Sequence, residues 1–246
     1  MIETFLLLLT AHLLGDFVFQ TDGLLQRKHT RGGMAQHILI QVILTLAFLA
    51  PTRPTAIAPI AIVAITHFLM DYVKIKWLGA QLWAFALDQT VHLAAIAALA
   101  VKWPEIAMQS AWGSWAADAQ SYLYASLALL CGLAFGIAVG GVVIKKIVDQ
   151  LPSAGQGSSQ ITGMRNAGRY IGWLERALAI TFILIKQPEG VGLLLAAKSV
   201  LRFRDVQDEH DRHQAEYIII GTFLSFGWAI LTALMARAAM AHWLGR

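Results

Sequence analysis

Apolar runs broken by short polar connections fill this chain from end to end. A helix crossing a bilayer core needs ~20 mostly apolar residues. Runs near that length cover 2–20, 36–50, 56–75, 82–101, 121–144, 168–186, 190–201 and 215–236. The second and seventh are short, and fit tilted or re-entrant segments. Pro51, Pro54, Pro104 and Pro188 fall in connections, where proline is tolerated. No run alternates with period two, so strands are not expected. Glu3 is acidic, nothing basic precedes Leu6, and His12 and Asp16 interrupt the first run. That is unlike a cleavable signal, and the run reads as a retained span. The pattern predicts an all-α, polytopic helical membrane protein of about eight transmembrane or re-entrant helices in two halves.

The halves are a four-helix membrane domain at 1–101 and a second helical membrane domain at 121–246. The stretch 102–120 between them reads as an outer interfacial connector carrying Trp103, Trp112 and Trp115, residues suited to a membrane interface. Within the second half, 149–166 is rich in Gly, Ser and Gln. It reads as a flexible loop, able to dock a cytosolic protein partner.

Composition agrees with the pattern. Of 246 residues, 57% are hydrophobic and 14% charged, with a mean hydropathy of +0.60. A water-soluble globule is excluded. The net charge of +4 is modest and its basic residues sit between apolar runs, so a nucleic-acid surface is not expected and membrane lipids are the surroundings. Alternate connections hold twelve Lys and Arg on one side and five on the other. The positive-inside rule makes the richer side cytoplasmic, with both termini outside. The lone Cys131 excludes an intramolecular disulfide and a Cys-based zinc site.

Three His–Asp pairs share one spacing: His12–Asp16, His67–Asp71 and Asp88–His92. Residues four apart lie on one helix face. Random placement of these residue types would give roughly 0.6 such pairs in the chain. The topology brings all three pairs, with His37 at the start of the second run, to the cytoplasmic half of the bilayer. A charged Asp there costs ~2.5–3.5 kcal/mol, and a bound divalent cation compensates several carboxylates at once. His12, Asp16, His37, His67, Asp71, Asp88 and His92 are therefore candidate metal ligands. Nitrogen and oxygen donors without thiolate favour Zn²⁺, with Mn²⁺ or Fe²⁺ as alternatives. Asp16 and Asp88 are candidate general bases. Gln20, Asp22, Gln36, Gln41 and Gln89 lie nearby and read as solvated or interfacial, with support of the ligands from outside as the alternative.

The second half has its own charged set. Glu175, Arg176 and Glu216 read as structural ion pairs, and Lys198 and Arg202, four apart, as a candidate site for an anionic substrate or lipid phosphate. The polar run 205–213 reads as a solvated loop.

AHLLGDFVFQTD (11–22), His37, THFLMDYVK (66–74) and ALDQTVHL (86–93) resemble the bacterial membrane family called domain of unknown function 3307. GRYIGWLER (168–176), AAKSVLRF (196–203) and EYIIIGTFLSF (216–226) resemble companions of that family. The resemblance implies a bacterial inner membrane protein. The helical His-x-x-x-Asp repeats are distantly similar to integral membrane proteins labelled predicted metal-dependent hydrolases, which implies a metal and hydrolysis at the seven His and Asp residues.

Three functions follow. One is a metal-dependent hydrolase acting on a lipid or lipid-linked phosphoester, with metal-activated water. A second is an ion or metal transporter or proton relay. A third is a non-catalytic assembly or regulatory protein braced by a structural metal.

Overall fold

Twelve residues from Ile2 to Leu13 form helix α1, and a π turn continues it through Leu14–Val18. The structure is a computed structural model. It describes residues 1–150, 167–202 and 209–245, with the side chains of 167, 201–202 and 209–218 outside that description. Further helices are α2 Asp22–Arg27, α3 Arg31–Leu49, α4 Ile57–Val73, α5 Leu82–Lys102, α6 Ala117–Leu133, α7 Gly140–Val148, α8 Ala167–Leu184, α9 Glu189–Arg202 and α10 Glu209–Leu244. No strand occurs among the described residues; Pro51 and Ser110 make a lone bridge.

Five helical stretches are long and apolar enough to cross a membrane: Arg31–Leu49, Pro54–Leu78, Leu82–Lys102, Ala117–Val148 and Ile219–Leu244. The remaining runs, 2–20, 168–186 and 190–201, also fold as helices, but these are shorter or carry more charge. Two boundaries differ from expectation. Helix α3 starts at Arg31 instead of Gln36, because the Thr30 hydroxyl accepts from the Gly33 N–H at 3.1 Å and caps a polar first turn. Helix α10 starts at Glu209, inside the run 205–213 expected to be loop. That segment lacks Gly and Pro, so nothing in its sequence breaks a helix. The 149–166 loop lies outside the described residues from 151 onward.

The chain divides into two compact units, Met1–Ala134 with Ala239–Arg246, and Phe135–Ala238. In the first, α1, α3, α4 and α5 form a ring in which α1 packs on α3 and α5, and α4 packs on the same two; α6 lies against α1. Its core holds Leu7, Leu8, Leu49, Val63, Ile96 and Leu99. The connector 102–120 folds as two 3₁₀ turns, Pro104–Ala107 and Ala111–Ser114. It is pinned to the end of α3: the Trp112 indole N–H donates to the Phe48 carbonyl at 2.7 Å, and the Thr52 hydroxyl to Gln109 O at 2.6 Å.

In the second unit α8 packs against α7 and α9. The buried Arg176 guanidinium donates through Nε and Nη2 to the Ile137 carbonyl, at 3.3 and 2.9 Å, and through Nη1 to Ser225 Oγ at 3.2 Å. Trp228 stacks on Phe135, with ring centroids 4.9 Å apart. Lys198 pairs with Glu175 at 2.7 Å.

Candidate metal centre

All seven His and Asp ligand candidates meet at one end of the four-helix ring. The last turns of α1 and α4 and the first half of α3 and α5 deliver them, because the helices run alternately up and down. His12, His37, His67, Asp71, Asp88 and His92 are buried. Two groups have ligand atoms within 4.8 Å of one another: His12, Asp16 and His67, and Asp71, Asp88 and His92. His37 joins them, its Nε2 lying 3.4 Å from Asp16 Oδ1 and 3.2 Å from Asp71 Oδ2.

Two local devices set the geometry. The π turn at the end of α1, closed by Phe19 N–H to the Leu14 carbonyl at 2.8 Å, contains Asp16 and Gly15. A Cβ on Gly15 would sit 2.4 Å from Gln41 Nε2, so glycine lets the Gln41 amide reach Asp16. A matching π turn, Lys74–Leu78, follows α4. The chain then reverses through Gly79 at φ 76°, a conformation glycine adopts without steric cost.

The oxygen partners assign the protons of the neutral rings. Gln89 Nε2 donates to Asp16 Oδ2 at 3.3 Å and to Asp88 Oδ2 at 3.2 Å. That orients its Oε1 toward His12 Nε2, 3.1 Å away, so His12 Nε2 is the N–H. His67 Nδ1 faces the Val63 carbonyl at 3.2 Å, so His67 Nδ1 is an N–H as well. In neutral imidazole the other nitrogen of each ring is a bare lone pair. Those two nitrogens, His12 Nδ1 and His67 Nε2, face each other at 3.1 Å, with Asp16 oxygens 3.9 and 3.6 Å from them. Two lone pairs and a carboxylate turned together in an apolar interior repel unless a cation lies among them. A His whose second nitrogen donates to a carbonyl or amide oxygen is the usual dress of a metal ligand. His37 Nδ1 and His92 Nδ1 are also buried without a hydrogen-bond partner among the described residues, while His37 Nε2 lies 3.2 Å from Asp71 Oδ2 and His92 Nε2 3.3 Å from Asp88 Oδ1, with no aligned hydrogen bond at either contact.

Four residues that did not stand out as ligands shape the cluster. Gln41 and Gln89, expected to be solvated, are part of it: Gln41 is fully buried and its amide donates to Asp16 Oδ1 at 2.5 Å. Lys28 and Lys74, counted as loop charges, turn inward. Lys28 Nζ lies 2.6 Å from Asp71 Oδ2, and Lys74 Nζ lies 2.5 Å from Asp88 Oδ2. Their signal in the sequence is proximity to the pairs: Lys74 follows Asp71 by three residues.

In the second unit Glu175, read as part of an ion pair, is paired with Lys198. Lys198 bonds Glu175, while Arg176 donates to a carbonyl and a hydroxyl. The side chains of Arg202 and Glu216 lie outside the described residues.

Residues 4–119 match the family model described as "Protein of unknown function (DUF3307)", the family its motifs resembled. The matched stretch contains all seven ligand candidates, both lysines and both glutamines, and ends before the tail motifs at 168–176, 196–203 and 216–226. No curated protein and no solved structure matches the chain.

Proposed function

We propose that this DUF3307-bearing chain is a multi-pass membrane protein of about eight transmembrane or re-entrant helices, whose first unit holds a divalent metal ion and uses it to hydrolyse a lipid or lipid-linked phosphoester. The observation that carries the metal is the approach of two ring nitrogens, His12 Nδ1 and His67 Nε2, 3.1 Å apart beside Asp16. Two nitrogens bound tetrahedrally to Zn²⁺ at 2.0–2.1 Å would lie about 3.3 Å apart. Asp16 completes a group of two imidazoles and one carboxylate whose ligand atoms lie within 4.8 Å of one another, with His37 Nε2 3.4 Å from Asp16 Oδ1. Zn²⁺ suits this set best, and Mn²⁺ or Fe²⁺ are the alternatives.

A bound divalent ion lowers the pKa of its water toward ~7 and so supplies a nucleophile at neutral pH. With Asp16 taken as a ligand, Asp88 is the remaining base. Its Oδ2 is engaged by Lys74 and Gln89, and its Oδ1 faces His92. A lipid substrate fits a site to which three helices long and apolar enough to cross a membrane, α3, α4 and α5, contribute. The excess of basic loops supports a site in the cytoplasmic half of a bacterial inner membrane, with both termini outside. Transport is less well supported, because the buried residues beyond the cluster include Leu49, Val63, Ile96 and Leu99. Lys198 is read as a brace for Glu175.

Elemental analysis of protein purified in detergent tests the metal. About one divalent ion per chain is expected, with its loss in Asp16→Asn and His67→Ala. Equal metal content in wild type and both variants overturns the reading. Phosphate release from lipid phosphomonoesters and phosphodiesters by the loaded protein, abolished in Asp88→Asn, tests the hydrolysis.

A further inference from the structure

The two ligand groups differ in the cations that already touch them. Asp16 meets imidazoles and two amides. Its nearest charged or chargeable neighbours are His37 at 3.4 Å, His67 at 3.6 Å and His12 at 3.9 Å. Asp71 and Asp88 each carry an ammonium, from Lys28 at 2.6 Å and Lys74 at 2.5 Å. These are not surface pairs. Lys28 is 6% exposed and Asp71 3%, and the Lys74 side chain is 24% exposed against 1% for Asp88.

Both ammoniums are held from several sides. Lys28 also donates to Gln20 Oε1 at 3.3 Å. Its backbone is fixed because the end of α2 rests on the first turn of α3, where a Cβ on Gly33 would come within 2.0 Å of the Arg27 carbonyl. Lys74 opens the π turn after α4, and its Nζ sits 5.5 Å from the Phe85 ring centroid, within cation–π range.

Charge then limits how many metal ions the cluster accepts. The three carboxylates carry three negative charges, and the two ammoniums already offset two of them. On those charges one divalent ion takes the cluster to +1, and a second would take it to +3 in an apolar interior. It would also have to sit against two ammoniums, where the low dielectric makes repulsion severe. Yet Asp71, Asp88 and His92 have ligand atoms close enough to hold an ion. The ammoniums already lie against two of these three residues.

We propose that the centre is mononuclear, that Lys28 and Lys74 supply its second cation, and that these two lysines set the metal count. This rests on the metal reading above. Paired metal ions clamp the attacking and leaving oxygens of a displacement; here fixed ammoniums put positive charge beside one metal. Removing them turns Asp71, Asp88 and His92 into a second metal site.

The experiment is equilibrium dialysis of the full chain in detergent against Zn²⁺ or Mn²⁺, with metal per chain read by mass spectrometry. Wild type is expected to hold one ion. K28M/K74M is expected to hold two, and K28R/K74R, which keeps the charges, one. Gel filtration and thermal melting confirm that each variant is folded. Should K28M/K74M not fold, K74M alone is expected to take a second ion at least tenfold more weakly than the first. X-ray absorption of the wild type is expected to lack a metal–metal vector in either case. Two ions in wild type, or one in folded K28M/K74M, overturns the lysine proposal and leaves the metal reading standing. No ion in any protein overturns both.

Discussion

His12 Nδ1 and His67 Nε2 face each other at 3.1 Å from helices α1 and α4, 55 residues apart in the chain. The other nitrogen of each ring is committed to an oxygen, Gln89 Oε1 for His12 and the Val63 carbonyl for His67. With each ring's proton assigned to that oxygen, the contact joins two acceptor nitrogens, the arrangement on which the metal proposal rests.

That relationship predicts a stabilising ligand. At a hundredfold excess over its dissociation constant, a metal that binds only the folded state adds ~2.7 kcal/mol. Chelation should therefore lower the melting temperature of wild type by several degrees, and have little effect on His67→Ala. Scanning fluorimetry in detergent, with and without chelator, checks this.

Gln89 orients His12 without being a ligand candidate itself. Gln89→Leu keeps the side-chain bulk and removes the Oε1 acceptor and the amide donor. Metal affinity should fall ~10–100-fold, the usual cost of losing such an outer partner, while the fold persists. Gln89→Glu, which restores an acceptor for His12, should recover part of the affinity in a metal titration.

Gly15→Ala tests the close approach at the π turn. The added methyl would meet Gln41 at 2.4 Å and push its amide off Asp16. A cost of ~1–3 kcal/mol is expected from overpacking, read as a drop in melting temperature. Gln41→Ala in the same chain should relieve most of the clash, so the two substitutions should be strongly non-additive.

Lys28→Ala leaves Asp71 buried without its ammonium. Breaking one side of a buried pair costs ~3–5 kcal/mol, and Asp71→Asn in addition should return a good part of that stability. A double-mutant cycle by thermal melting measures the coupling.

Arg176 gives a contrast from the second unit. Arg176→Met removes the bonds to Ile137 O and Ser225 Oγ, leaving acceptors unsatisfied at ~1–3 kcal/mol. The melting temperature should fall, while metal content stays at its wild-type value.

The sequence exposed the centre through one property, periodicity. A spacing of four puts His12 with Asp16, His67 with Asp71 and Asp88 with His92 on common faces, and alternate helix direction sends all three to one end. The apolar runs likewise mark the helices. What the spacing could not expose is long-range pairing. Lys28 and Asp71 are far apart in the chain, and a lysine next to a span has the same local appearance whether it faces water or folds back. Gln41 carries no charge and no spacing signal, so only the approach allowed by Gly15 reveals its place. The start of α3 was hidden because polar residues can continue a helix once a cap supports it.

The two lysine pairs tie different helices together. Lys28, just before α3, grips Asp71 on α4, and Lys74, just past α4, grips Asp88 on α5. Sliding α4 by a single turn would tear both at once. The cluster thus serves as the ruler by which neighbouring rods are set to length. Clearing it for redesign would loosen the scaffold, and grafting it elsewhere would carry the alignment along.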